Sequence, residues 1–219
     1  MHRTAYRAAL LHFLADPSKP SARASYLFYP DGLLVVESGR IKAIGPASEL
    51  LPGLGDTPLV AFADALIVPG FVDTHIHYPQ TEMIGAYGKH LLDWLNTYTF
   101  PVESRFADPA HATASAGFFI NELLRNGTTT ALVFASVHTH STDALFAAAN
   151  QRQLRMIAGK VLMDRNAPEQ LLDTAESGYQ DSQQLIAKWH GKGRLAYAVT
   201  PRFAPTSTPA QLSLAGQLL

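Results

Sequence analysis

Pro69-Gly70-Phe71-Val72-Asp73-Thr74-His75-Ile76-His77 closes an apolar run that begins at Leu66. Alternate side chains of a strand share a face, so His75 and His77 point one way while Thr74 and Ile76 point the other. Two imidazoles placed like this can bind one cation together. The ordinary alternative is a pair of polar residues at a strand end. The long apolar run before the pair favours metal binding, because barrel enzymes carry their chemistry where parallel strands end. Asp73 shares the histidines' face and can either orient an imidazole or cap the strand.

Outward from this stretch the chain alternates strands and helices. Leu66–His77 is expected as one strand. Asp108-Pro109 supplies a helix cap followed by proline at the first helical position, and Gly127 ends that helix. Thr128–Ala135, β-branched and apolar, is expected as a second strand, followed by a helix over Thr142–Gln153 and a third strand over Met156–Met163. A helix over Thr174–His190 and a fourth strand over Leu195–Thr200 come next. Thr208-Pro209-Ala210-Gln211 is a capping-box pattern that opens a last helix.

The order β-then-α argues for parallel strands under covering helices, either an open doubly wound sheet or a closed barrel. No glycine-rich phosphate loop is present, which weakens the open sheet. About four β/α units fit in residues 68–219, half of what a barrel needs. Residues 1–67 differ in character. Leu33–Glu37 and Ile41–Ile44 flank Ser38-Gly39 as a hairpin, and Pro46, Pro52, Gly53, Gly55 and Pro58 punctuate a looser connection. The start, with Arg3 and Arg7 before an apolar run broken by His12, is a first strand rather than a secretion signal. A small β-rich domain over 1–67 and an α/β unit over 68–219 are therefore expected.

Of the 219 residues, 47% are hydrophobic and 16% charged, with a net charge of −1, which argues against a nucleic-acid partner. No segment approaches the roughly 20 apolar residues of a membrane span, so no membrane partner is expected and the cytoplasm is the default location. The absence of cysteine removes disulfides and thiolate metal sites, leaving His, Asp and Glu as ligands. A second pair, His138 and His140, has the same spacing but follows Ser136-Val137, and a loop position without metal is expected for it.

The run from Pro69 to His77 resembles the first-strand metal motif of the amidohydrolase superfamily. Three further stretches resemble its guanine deaminase branch: His77-Tyr78-Pro79-Gln80, Leu91–Leu95 leading to Tyr98-Thr99-Phe100-Pro101, and Thr200-Pro201-Arg202-Phe203-Ala204-Pro205-Thr206. Asn126-Gly127-Thr128-Thr129-Thr130 is similar too, though less distinctive. The resemblance covers nearly the whole chain. It implies the first half of a (β/α)8 barrel preceded by a urease-like β-sandwich domain. It also implies His75 and His77 as Zn(2+) ligands, and Gln80, Arg202 and Phe203 as contacts to the small-molecule substrate guanine. Arg and Gln suit a planar ring bearing a carbonyl and ring nitrogens, which directed hydrogen bonds can grip. Taken alone, Arg202 reads as a surface ion-pair partner and Gln80 as a loop amide.

The same resemblance places the remaining zinc ligands and the proton-shuttling Glu beyond Leu219, so no catalytic acid is expected within these residues. It implies a homodimer for the full-length form. The 219 residues are expected to be a fragment that binds zinc weakly, turns over no guanine and is poorly soluble through its open strand edges. The rivals are another deaminase or chlorohydrolase of the superfamily and a non-catalytic remnant.

Overall fold

A computed structural model describes residues 2–19, 24–88 and 90–219. The chain divides into two units, Met1–Pro69 and Gly70–Leu219.

The first unit is one four-stranded sheet of β1 (Arg3–Phe13), β2 (Tyr26–Glu37), β3 (Arg40–Pro46) and β4 (Leu59–Ile67) in the order β3-β2-β1-β4. The first three are antiparallel neighbours, and β4 joins β1 in parallel. Ser38 (φ 51°) and Gly39 (φ 75°) both take positive φ, the pair a tight two-residue hairpin loop requires. Ala5, Leu33, Val35, Ala47 and Leu54 form its small core. The small β-rich domain expected over 1–67, incomplete without the C-terminal part, is a single sheet among the described residues. The strand expected over Leu66–His77 is two strands. Pro69 cannot donate to a ladder, and a Cβ on Gly70 would stand 2.0 Å from the Thr129 hydroxyl, so the chain breaks there before restarting at Phe71.

The second unit carries β5 (Phe71–His77), β6 (Thr128–Phe134), β7 (Arg155–Gly159) and β9 (Leu195–Tyr197), all parallel and in sequential order. The two-residue strands β8 (Val161–Leu162) and β10 (Thr200–Pro201) pair just past β7 and β9. The third and fourth expected strands are thus each interrupted. At Gly159 the backbone of Ala198 comes so close that a Cβ would lie 1.8 Å from its carbonyl oxygen. Sequential parallel order is how a barrel winds; a doubly wound sheet reverses direction.

The connections are helices α1 (Pro109–Arg125), α2 (Thr139–Gln151), α3 (Ala175–Trp189) and α4 (Pro209–Gly216). Asp108 caps α1 by accepting from the Ala110 N–H, and Gly127 (φ 79°) turns the chain out of it. α2 begins three residues earlier than expected. Thr208 accepts from the Gln211 N–H, but the Gln211 amide goes to Asp173, so only half of the expected capping box forms. The complete one is at Thr174 and Ser177, where serine replaces the usual Glu or Gln.

Helix faces and strands meet in a core that includes Phe106, Phe119, Ile120, Val133, Phe146, Met156, Leu185, Trp189 and Leu195. Each large side chain so buried contributes about 1.5–3 kcal/mol. Among the described residues β5 and β9 pair on one side only, and Phe71 and Val72 stay exposed at the β5 edge.

Candidate active site

β5 delivers His75 and His77 to one face, their ring centroids 5.2 Å apart. Phe134, at the end of the neighbouring β6, stacks on His77 at 4.5 Å and tilts against His75 at 5.1 Å, so an aromatic floor holds both rings. Asp73 spends an oxygen on the backbone N–H of His75 at 3.0 Å, which makes it a local backbone brace; among the described residues it bonds no imidazole. Past His77 the chain is pinned by Tyr78, fully buried, whose hydroxyl meets the Ser141 hydroxyl at 2.7 Å. Burial pushes the Tyr78 phenol above its ordinary range, so it stays a neutral anchor.

His77 is the more buried of the pair. Burial first, then the Arg202 guanidinium and His75, pull its imidazole down to about 4, so it is neutral at physiological pH. A metal requires that neutral form. Nδ1 of His77 is buried without a hydrogen-bond partner, an arrangement that costs stability unless another species satisfies it. Two clustered imidazoles, one with an orphaned nitrogen, suit a borderline cation such as zinc. They do not complete a site: among the described residues no group of three His, Asp or Glu could hold a metal ion.

Both histidines line a cavity of about 580 Å³, with Gln80, Met83, Trp94 and Phe119 among its other walls. Gln80 follows on the short 3-10 helix Tyr78–Met83. Its Nε2 donates to Oε1 of Glu103 at 3.0 Å, and Nη1 of Arg202 donates to Oε2 of the same carboxylate at 2.5 Å. The side chains of Glu103 and Arg202 are 3% and 7% exposed, so this is a buried ion pair with an amide attached. The Arg202 guanidinium also lies 5.8 Å from the Phe100 ring centroid. Arg202 thus reaches Gln80 through Glu103 and His77 through its charge. Phe203 stands apart, 37% exposed and absent from the cavity wall.

Glu103 escaped the sequence reading; its only signal is its place two residues after the Tyr98–Pro101 stretch. Also unforeseen is Lys160, which follows β7 and is 1% exposed, paired with Asp173 at 2.5 Å. Of the second pair, His138 lies in the expected loop and His140 does not. His138 precedes α2 and His140 sits in its first turn, bonding the Phe106 carbonyl through Nε2 at 2.9 Å.

The parallel strands follow one another in barrel order, with paired histidines at the end of the first. The chain belongs to the amidohydrolase family, whose sequence model matches residues 66–218. It is 54% identical over 216 residues to guanine deaminase of Escherichia coli (strain K12), covering 98% of this chain and 49% of that one. The solved structure of the E. coli guanine deaminase superposes with TM-score 0.93 over 98% of this chain and 50% of its own. A guanine deaminase from C. acetobutylicum, solved with guanine in its active site, matches at TM-score 0.87 and 30% identity over 99% of this chain and 50% of that one. An adenosine deaminase from Xanthomonas campestris with bound zinc shares the fold at TM-score 0.70 and 21% identity, over 98% of this chain and 46% of that one. The chain spans about half the length of the curated relatives it matches. Among the described residues no helix is long and apolar enough to cross a membrane.

Proposed function

We propose that this chain supplies the small β-rich domain and the first four β/α units of a guanine deaminase, which hydrolyses guanine to xanthine and ammonia. The observation that carries this is His75, His77 and Gln80 on the wall of one cavity, with Arg202 joined to Gln80 through Glu103, in a chain so similar to guanine deaminases. His75 and His77 would hold zinc, which when bound makes water acidic enough to be hydroxide near pH 7. A catalytic zinc takes at least three protein ligands, so the others, with the carboxylate that carries the proton to ammonia, come in this proposal from a second half-barrel.

The chain's own residues bind and orient. Gln80 and Arg202 offer directed hydrogen bonds to the edge of a planar purine. Phe134 keeps both imidazoles in register.

The test is complementation. The 219-residue chain is co-expressed with the C-terminal half of the E. coli guanine deaminase, and xanthine formation is followed with and without added zinc. Zinc-dependent xanthine formation by the pair, and none by the chain alone, is expected. Turnover of another cyclic amidine or an s-triazine but not guanine would favour the rival hydrolase. A soluble, zinc-loaded pair with no activity on any of these would leave the non-catalytic remnant.

A further inference from the structure

Glu103 is nearly buried, yet a single carboxylate binds the two side chains proposed to grip the substrate. Burying a carboxylate is costly unless it is fully partnered, and here the partners are those two heads. Gln80 can rotate its amide so that either Oε1 or Nε2 faces the cavity. A carboxylate accepts only, so it takes Nε2 and turns Oε1 away from itself. Arg202 gives one N–H to Glu103 and keeps its other donors.

We infer that Glu103 is a positioning residue that fixes the hydrogen-bond polarity of this cluster, presenting Gln80 as an acceptor and Arg202 as a donor. An acceptor beside a donor is the complement of a ring edge in which an N–H adjoins a C=O, the lactam edge of an oxopurine. Without the carboxylate the Gln80 amide is free to flip, and its N–H would then face the ligand's N–H. The identity of the ligand rests on the function proposed above; the polarity of the cluster does not.

Two readouts separate these. The first needs no ligand: hydrogen exchange of the Gln80 side-chain amide by NMR in the unmutated chain, with exposed Gln217 as the internal standard. Exchange at least about tenfold slower at Gln80 is expected. Exchange as fast as that of Gln217 would overturn the inference even if no variant folds. The second readout is guanine binding by saturation-transfer NMR in Glu103→Gln and Glu103→Asp. Glu103→Gln should lose the Gln80 protection and weaken guanine binding about tenfold, the loss of one well-made hydrogen bond. Glu103→Asp, which keeps the charge on a shorter arm, should recover part of both. Guanine binding unchanged in Glu103→Gln overturns the inference. Protection that vanishes in Glu103→Gln while neither the unmutated chain nor its pair with the C-terminal half of the E. coli guanine deaminase binds guanine would support the polarity role and strike the function proposed above.

Discussion

Replacing Lys160 by Met removes a buried charge while keeping the length and apolar stem of the side chain. Nζ of Lys160 lies 2.5 Å from Oδ2 of Asp173, with 1% and 7% of the two side chains exposed. Breaking a buried pair from one side costs about 3–5 kcal/mol, because the surviving charge is left uncompensated. Asp173 would keep the Gln211 amide at 2.7 Å, which puts the expected loss near the lower end, about 3 kcal/mol. With a urea slope of about 2 kcal/mol/M, the unfolding midpoint should fall by about 1.5 M. The double variant Lys160→Met, Asp173→Asn leaves no charge behind and should lose only about 1–2 kcal/mol.

The pH dependence carries a sign. Burial already pushes the Asp173 carboxyl above its ordinary range, against the pull of Lys160. Without Lys160 it rises further. A carboxyl whose folded pKa exceeds its unfolded one penalises the fold at high pH, and the penalty is relieved as pH falls through the folded value. The gap between Lys160→Met and the parent should therefore narrow from pH 7.5 to pH 5. Urea melts followed by Trp fluorescence and circular dichroism measure both effects. A single variant that loses under about 1 kcal/mol, or a double variant no milder than the single, would refute the reasoning.

Two helix glycines should respond oppositely to Ala. Gly117 in α1 has open space where a Cβ would go, so Gly117→Ala should gain about 0.5–1 kcal/mol of helix propensity, whereas at Gly178 in α3 the Cβ meets Asp173 Oδ2 at 2.8 Å and Leu162 Cδ2 at 2.9 Å, so Gly178→Ala should lower the thermal midpoint. Burial, then His140 and Lys160, hold the His138 imidazole below its ordinary range. The unfolded chain therefore takes that proton first and stability drops as pH falls below about 6.5; His138→Gln should make the drop shallower in melts from pH 7.5 to 5, the part set by His77 remaining. Saturable zinc uptake by the chain, measured by equilibrium dialysis, should disappear in His75→Ala and in His77→Ala and survive in His138→Ala; equal uptake in all three would remove the paired histidines as the metal's holders.

What the sequence made legible is local, and what it hid is long-range. His75 and His77 could be placed on one face because a strand's two-residue period is enough to do it, and the Asp108 cap and the Ser38-Gly39 turn are decided by their neighbours. The break at Pro69-Gly70 was blurred by the apolar residues on either side, since hydrophobic pattern continues where a ladder cannot. Serine's capping role at Ser177 had no usual signature. Glu103 is the instructive case: its meaning depends on Arg202, 99 residues away, meeting it after four strands have lined up in order. Alone, it is one acid in a short helix that ends at Ser104. The same holds for Lys160, whose charge is tolerable only because Asp173 and Gln211 arrive from two later connections. Both buried cations lie where strands end, Lys160 after β7 and Arg202 after β10. The positive charge beside the paired histidines is therefore set by the order in which parallel strands stack, and a substitution that uncouples Arg202 from Glu103 should be felt at His77 although no bond joins them.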